Sequence, residues 1–175
     1  MFIQSQRYIT GLLLLLGIIA NSNATDMFIT GVLIDEPCSI SPNNGNINVE
    51  FGELTDQDLY NIRRIEQPFY IELTECNSSA IKTLTVKFIG EESRQQAGLL
   101  ALDSTSQASG IAIGIESNGV MLPMNSQQGA TFPFKNGNNT LALNAYVKAD
   151  PDAIAQKNIG LGHFTATATF VFEYN

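Results

Sequence analysis

The most regular stretch of the sequence is its C-terminal end, GHFTATATFVFEYN. Between Phe164 and Tyr174 apolar side chains recur at every second position, and threonine, valine and glutamate fill the positions between them. Successive side chains of a β-strand point to opposite faces, so this alternation predicts a strand that buries one face. The sequence stops one residue after Tyr174. We therefore expect a final strand whose outer edge is not covered by any later segment of the sequence.

Other parts of the sequence carry the same type of pattern. Runs of apolar residues are separated by turn-forming stretches such as SPNNGN, SNG, KNGNN and GLG. The alternating runs are 47–51, 69–73, 84–88, 111–115 and 141–147, and a run that is apolar on both sides occupies 27–34. Short strands joined by turns are typical of an antiparallel β-sandwich in one compact domain. The stretch DPDAIAQKN predicts one helical turn with Asp150 as its N-terminal cap.

The first residues predict a secretory signal peptide. Arg7 precedes the apolar stretch LLLLLGIIA at 12–20, which is far shorter than the roughly 20 residues that span a bilayer. Ser22 and Ala24 frame a typical small-x-small cleavage site, so we expect cleavage after Ala24. The alternative is an anchor that is not cleaved. Either way the sequence indicates an exported chain.

Cys38 and Cys76 are the two cysteines of the chain. In an exported protein a pair of cysteines is most simply one disulfide. Closing the loop between them would stabilise the fold by roughly 4 kcal/mol on the chain-entropy model. The alternative is a metal or redox site, but no other cysteine or histidine lies near either residue in the sequence. The pattern therefore favours the disulfide.

The sequence shows no arrangement of residues that is typical of catalysis. The motifs G-x-S-x-G and H-E-x-x-H and the phosphate-binding loop are missing. A general base at His163 would need an orienting carboxylate that the sequence does not show, and the acidic pairs Glu91 with Glu92 and Asp150 with Asp152 lack a series of oxygen ligands. The net charge of −8 disfavours nucleic acid and anionic lipid as partners. We expect no enzymatic activity, metal, cofactor or membrane insertion.

After cleavage the chain would run almost directly from Thr25 into apolar residues. If this run is extended, one of its sides carries Met27, Ile29, Gly31 and Leu33. An apolar surface of this size is expected to be buried. The run is either the first strand of its own sandwich or a strand offered to another molecule. In the second case the domain would lack a strand, and its final strand would need cover from another chain.

Several stretches of the mature sequence are similar to pilus subunits of the chaperone–usher class. GVLIDEPCSI resembles the run of glycine and apolar residues that leads into the first cysteine of that family. FYIELTECNSSAIKTLTVKFIG resembles its second-cysteine strand with the strand that follows, and LNAYVKADPDAIAQKNIGLGHFTATATFVFEYN resembles its C-terminal third. The most specific feature is the pair Gly162 and Tyr174 on either side of alternating apolar residues. The shorter stretches GVLIDEPC, AYVKADPDAI and ATATFVFEY most resemble the small adaptor subunits of P-type pili.

The resemblance implies an all-β fold, namely an incomplete immunoglobulin-like sandwich that lacks its final strand and holds one disulfide. It implies a signal peptide over 1–24, an N-terminal donor-strand extension over 25–34 and a pilin domain over 35–175. The donor residues would be Met27, Ile29, Gly31 and Leu33. The acceptor groove, which would also bind the chaperone, would involve Gly162, Phe164, Ala166, Ala168, Phe170, Phe172, Tyr174 and Asn175.

The resemblance also implies partners and a location. A periplasmic pilus chaperone would lend a strand to the groove beside 164–174 and would hold the terminal carboxylate of Asn175. At the outer-membrane usher the N-terminal extension of the neighbouring pilus subunit would replace that strand. The chain would then be exported through the periplasm into a fimbrium, where a minor adaptor role is expected. A major rod subunit, a chain terminator and a single-domain adhesin that binds a glycan are the alternatives.

Overall fold

The computed structural model describes residues 31, 37–41, 46–61 and 64–175. The chain divides into two compact units, Met1–Asp35 and Glu36–Asn175. In the first unit the structure describes Gly31, which is exposed. The predicted signal peptide and the predicted donor residues Met27, Ile29 and Leu33 lie outside the described residues. All strands and helices given below belong to the second unit.

The described part of the second unit is built from β-strands and two short helices. The strands are β1 (Ser39–Ser41), β2 (Arg64–Cys76), β3 (Thr83–Gly90), β4 (Ile111–Ser117), β5 (Val120–Met121), β6 (Ala130–Pro133), β7 (Gly137–Ala149) and β8 (Ala168–Tyr174), and the helices are α1 (Asp56–Asn61) and α2 (Pro151–Gln156). One sheet has the order β1-β2-β7-β4-β5 and the other has the order β6-β3-β8. All of these strands pair antiparallel. The predicted antiparallel, immunoglobulin-like β-sandwich is confirmed.

The hydrophobic core lies between the inner faces of the two sheets. The largest of its fully buried side chains are Ile71, Leu73, Leu141 and Val147 of the larger sheet and Leu84 and Val86 of the smaller one. Removing a side chain of this size from water stabilises a fold by roughly 1.5–3 kcal/mol. The predicted runs 69–73, 84–88, 111–115 and 141–147 lie within β2, β3, β4 and β7, as their alternation indicated.

Two of the predicted strands need correction. The run 47–51 forms no strand, although its apolar residues Ile47, Val49 and Phe51 are half-buried against the core as the alternation predicts. The run 164–174 is a strand only from Ala168 onward, because β3 pairs with it only as far as Gly90, opposite Ala168. Alternation reports which side chains are buried, whereas a strand also needs a neighbouring backbone with which to form its ladder.

Three strands are too short for the sequence pattern to predict. They are β1, β5 and β6, which span between two and four residues. β1 pairs with β2, β5 pairs with the end of β4, and β6 pairs with the first half of β3. A period of two cannot be recognised over so few residues.

Helix α1 was also missed, although its sequence carries a start signal. Thr55 accepts a hydrogen bond through its hydroxyl from the backbone N–H of Asp58 at 3.2 Å, and the hydroxyl donates to the Asp58 carboxylate at 2.6 Å. A threonine followed three residues later by an acceptor side chain is close to the capping box that begins helices. The stretch TDQD is thus the signal that predicts α1.

Helix α2 confirms the helical turn that DPDAIAQKN predicts and the position of Asp150 at its N-cap, but the side-chain capping hydrogen bond is missing. Asp150 stands at the N-cap position without a side-chain hydrogen bond to the helix. Its carboxylate instead accepts a hydrogen bond from Nε2 of Gln96 at 2.7 Å. The helix ends at Gln156, and the C-cap residue Lys157 adopts a left-handed backbone conformation with φ of 52°. Pro151 at the first helical position pre-sets the helical φ without a side-chain cap.

The predicted disulfide between Cys38 and Cys76 is present. Both residues are buried, and the bond ties the segment before β1 to the end of β2. No group of three or more histidine, cysteine, aspartate or glutamate side chains within the described ranges could hold a metal ion. In the same ranges no helix is both long and apolar enough to cross a membrane.

Candidate functional site

A large open groove runs along the inner face of β8 and the segment before it. It encloses about 740 Å³. One wall carries Phe164, Ala166, Ala168 and Phe170, and the opposite wall carries Ile47, Val49 and Phe51. The floor consists of core residues, namely Leu100 from the segment between β3 and β4 and, from the two sheets, Phe69, Phe88, Ile113, Ile115 and Ala145. The groove therefore opens directly onto the hydrophobic core.

The inner face of β8 is only partly covered. Ala168, Phe170 and Phe172 are half-buried, although each packs against the core. Leu84, Val86 and Phe88, the inner residues of the neighbouring strand β3, are between 0 and 4% exposed. The two strands belong to the same sheet and have the same kind of inner side chains, but β8 is an edge strand whose inner face the described residues cover only in part. Covering this apolar surface with another apolar group would lower the free energy, because both surfaces would be removed from water.

Aromatic contacts mark the two ends of this apolar face. At one end the rings of Phe51 and Phe164 lie 6.4 Å apart between centroids and connect the two walls of the groove. At the other end Tyr174 meets Phe134 edge to face at 6.2 Å. Aromatic pairs at these separations stabilise each other beyond the area that they bury. The rings therefore hold both ends of the apolar face in place.

The backbone of β8 has one paired edge and one open edge. Asn175 donates its N–H to the carbonyl of Thr83 at 2.9 Å, and its backbone oxygen accepts the N–H of Thr83 at 2.9 Å. The same register continues to Val171 opposite Lys87. Odd-numbered residues therefore direct their N–H and C=O groups toward β3, and even-numbered residues such as Phe170 and Phe172 direct theirs away from it. No strand of the described chain pairs with that side from Ala168 to Glu173.

The structure places the predicted acceptor residues in three groups. Phe164, Ala166, Ala168 and Phe170 line the groove, while Phe172 and Tyr174 continue the same half-buried face beyond it. Gly162 lies before the wall and is exposed, with φ of 138°. Asn175 lies at the far end, where its backbone oxygen also accepts the N–H of Lys82 at 2.7 Å.

Gly162 has a packing reason to lack a side chain. A Cβ atom at this position would lie 2.6 Å from the Cβ of Gln107, which is closer than real Cβ contacts come. Its φ also lies in the region that side chains disfavour. The glycine therefore lets the chain turn into the groove wall close to the loop that carries Gln107.

The opposite wall was not identified as part of the site from the sequence. Ile47, Val49 and Phe51 were predicted as an ordinary strand, and Leu100 in the floor carried no recognised signal. The alternation at 47–51 would have suggested a half-buried face, but nothing local shows that this face lies opposite 164–170. Leu100 reaches the floor through a bridge to Ile113 of β4.

The main charged cluster of the described chain lies away from the groove, on the outer face of the larger sheet. Arg64 forms an ion pair with Glu116 at 3.0 Å, and its guanidinium stacks 4.2 Å from the ring centre of Tyr146. Burial raises the pKa of Tyr146. Burial alone would lower the pKa of Arg64, but the hydrogen bonds to Glu116 and Glu66 and the negative charges of these two residues together raise that pKa. Both pKa values lie above 7 in the free amino acids and are raised further here, so neither group exchanges a proton near pH 7.

The arrangement suits the binding of an extended apolar segment. The groove opens onto apolar core side chains, and its wall offers backbone N–H and C=O groups along the strand direction. An incoming strand would add main-chain hydrogen bonds to that edge and place alternate side chains on the core. Such a site needs neither an ionisable group nor a metal.

Comparisons with known proteins agree with this geometry. The profile of the family described as fimbrial protein matches residues 27–175. The chain is 34% identical to the Fimbria A protein of Serratia marcescens over 90% of this chain and 91% of that protein. It is 30% identical to the fimbrial adapter PapK of Escherichia coli over 94% and 97%. Its fold is similar to the crystal structure of the P pilus rod subunit PapA, with a TM-score of 0.67 and 23% identity over 80% of this chain and 100% of that one.

Proposed function

The chain belongs to the fimbrial protein family and is a non-enzymatic structural subunit of a pilus on the cell surface, and we propose that its groove accepts a strand from another chain. The single observation that carries this proposal is the half-covered inner face of β8 beside an apolar groove. The open backbone edge of the same strand supports it, because an incoming strand needs both hydrogen-bond partners and apolar cover. Chaperone–pilin strand complementation is an established example of this mode of binding.

The strand offered to the next subunit would come from the N-terminal extension over 25–34, and 35–175 would form the pilin domain. Met27, Ile29 and Leu33 would occupy the groove of the neighbour, and Gly31 would allow the two backbones to approach closely. The alternating apolar pattern of the sequence supports this assignment. The exposed position of Gly31 agrees with it.

Two occupants would fill the groove in turn. A strand of a periplasmic chaperone would cover the face of 164–174 first and would hold the chain at Asn175. At the outer-membrane usher the extension of the next subunit would replace that strand. The half-buried phenylalanines of β8 support the need for cover at both stages, since an exposed apolar face favours aggregation.

The energetics suit assembly without a nucleotide. Each large apolar side chain that fills the groove contributes roughly 1.5–3 kcal/mol. Each ladder hydrogen bond adds about 1 kcal/mol net. Several contributions of both kinds along one strand would make dissociation very slow. Exchange of one strand for a better-fitting one would then drive assembly downhill.

Within the fibre we assign this chain to a minor adaptor position. The likeness to the fimbrial adapter PapK over nearly the whole chain supports that role. The second candidate is a major rod subunit, and the similarity of the fold to that of the P pilus rod subunit PapA is compatible with it. The groove geometry is compatible with both, because each of these positions would use an acceptor groove.

The proposal is tested by supplying the missing strand as a peptide. The chain would be produced from its full sequence, so that the leader is processed, and isolated with its periplasmic chaperone. Its melting temperature would then be measured after exchange against synthetic peptides, one covering residues 25–34 and others covering the N-terminal segments of the remaining pilus subunits of the same organism. We expect at least one peptide to raise the melting temperature strongly, because it completes the sandwich.

The control peptide carries Met27→Ser, Ile29→Ser and Leu33→Ser, which keep its length and remove its apolar side chains. It is expected to give no stabilisation. A chain that is stable without any peptide, and whose melting temperature no peptide changes, would contradict the proposed open groove.

A further inference from the structure

The wall of the groove continues past the point where its sheet stops. β3 pairs with β8 only from Tyr174 back to Ala168. Residues 163–167 precede β8 and belong to no strand, yet Phe164 and Ala166 line the groove. Something other than a β-ladder must therefore hold this half of the wall in an extended conformation.

A loop at 103–108 supplies part of the support through its backbone. Asp103 donates its N–H to the carbonyl of Thr165 at 2.8 Å. Gln107 donates its N–H to the carbonyl of His163 at 2.8 Å, and Ala108 donates to the same carbonyl at 3.2 Å. These bonds satisfy the carbonyls of alternate residues, as a neighbouring strand would.

Two side chains of the loop complete the support. The hydroxyl of Ser106 accepts the backbone N–H of Thr165 at 3.0 Å and donates to the carbonyl of Thr165 at 3.1 Å. The carboxylate of Asp103 accepts the backbone N–H of Thr167 at 3.2 Å and the hydroxyl of Thr167 at 3.0 Å. Side-chain oxygens thus occupy the places that strand carbonyls and amides would take.

The hydrogen bonds from the loop at 103–108 continue the alternation of β8 through residues 163–167. Residues 163, 165 and 167 turn their backbone groups toward the loop, just as the odd-numbered residues of β8 turn theirs toward β3. The even-numbered residues Phe164 and Ala166 then direct N–H and C=O groups to the open side, because extended backbone alternates direction. No hydrogen bond of the described chain engages the backbone of Phe164 or Ala166. The open edge of β8 is thereby lengthened toward Gly162.

We propose that Asp103 and Ser106 are positioning residues that preform the first half of the acceptor wall, and this inference rests on the proposed function of the groove. Their hydrogen bonds hold 163–167 extended before a strand arrives. Without them the segment would have to be ordered during binding, and the entropy lost in ordering it would weaken the complex. The residues act through the backbone of 163–167 and need no contact with the incoming strand.

The test uses the chain produced from its full sequence and isolated with its periplasmic chaperone. Asp103→Ala and Ser106→Ala remove one support each. Asp103→Asn is the conservative variant, because its amide oxygen still accepts the N–H of Thr167. Ser104→Ala is the matched control, since Ser104 is an exposed residue of the same loop.

The first measurement is amide hydrogen exchange. We expect Thr167 to exchange at least about tenfold faster in Asp103→Ala, and Thr165 in Ser106→Ala, while the core strands keep their wild-type rates. Asp103→Asn and Ser104→Ala should resemble the wild type. Unchanged exchange at Thr165 and Thr167 would overturn the inference, as would equal acceleration throughout the core, which indicates general destabilisation.

The second measurement is the affinity for the tightest-binding peptide of the panel used for the proposed function. Asp103→Ala should weaken binding on the order of tenfold, and Asp103→Asn should restore most of the loss. Alanine substitutions scanned along the peptide should show coupling to Asp103 at one end only, the end that docks beside Phe164. If Asp103→Ala and Ser104→Ala bind the peptide equally well, the positioning role is wrong, whereas the proposed acceptor function of the groove is unaffected. If no peptide binds the wild-type chain, the proposed function itself is wrong.

Discussion

At the scale of single residues, Gly114 and Tyr146 show how the outer face of the larger sheet is packed. Gly114 of β4 lies opposite Tyr146 of β7, whose ring covers the glycine. Tyr146 is 4% exposed and is covered in turn by the guanidinium of Arg64. A glycine inside a strand weakens it, and an aromatic side chain laid over the glycine compensates. A side chain at position 114 is therefore excluded by the ring of Tyr146 on the neighbouring strand.

We predict that Gly114→Ala destabilises the fold by about 1–3 kcal/mol. A Cβ atom at this position would overlap the ring of Tyr146, so the ring would have to move off its place beneath Arg64. Chemical denaturation of the peptide-complemented chain measures the free energy of unfolding. The control is the pair Gly114→Ala with Tyr146→Ala, in which the overlap is gone. Equal losses in the presence and absence of the tyrosine ring would contradict the explanation.

At the scale of elements, the two alternating segments that face each other across the groove have different backbones. The segment 46–51 and strand β8 both turn alternate apolar side chains toward the core. Only β8 has a strand beside it to complete a ladder. The pair therefore forms two walls with a gap between them, and a strand placed in the gap would receive hydrogen bonds from β8 and side-chain contacts from both walls.

We predict opposite effects for deletions at the two ends of the mature chain. Deleting 25–31 should leave chaperone binding intact and block incorporation as a donor. Deleting Tyr174 and Asn175 should impair chaperone binding, because Asn175 completes the ladder with Thr83. Co-purification with the chaperone and incorporation into fibres at the usher are the measurements. Loss of chaperone binding on the N-terminal deletion would contradict this assignment of the two ends.

At the scale of the whole molecule, the proposed acceptor groove is the feature that would connect this sandwich to a neighbouring subunit of a fibre. The fold agrees with that of a rod subunit, and the sequence agrees with both an adapter and a Fimbria A protein. Under the proposed strand exchange, the position of a subunit in the fibre would depend on which donor strand binds which groove most tightly, because specificity is a difference between affinities.

We predict that this chain is present in few copies per fibre if it is an adaptor. Immunogold labelling and quantitative mass spectrometry of purified fibres would count it against the other subunits. An adaptor should label a fibre end or a junction, and a rod subunit should label the whole length. Labelling along the entire rod would contradict the adaptor assignment.

The sequence by itself determined the all-β class, the disulfide, four of the core strands and the apolar face of β8. These follow from local patterns, because alternation, turn residues and cysteine count do not depend on distant parts of the chain. The predictions of a strand at 47–51 and of the start of β8 were wrong, and Asp150 stands at the predicted N-cap without the side-chain hydrogen bond of a cap. At 47–51 and 164–167 the apolar side chains are half-buried as their alternation indicates but no strand of the described chain pairs with the backbone, and the Asp150 carboxylate binds Gln96 in place of the helix.

Only the tertiary structure decided where the groove lies and what holds its wall. Residues 46–51 face 164–170 because both pack on one core. Asp103 supports Thr167 across 64 positions of sequence, and Ser106 supports Thr165 across 59. The closing stretch GHFTATATFVFEYN showed from its alternation alone that one face needs cover. That its first half is held by side chains of a distant loop could not be read locally, because a hydrogen bond between remote residues exists only once the chain has folded.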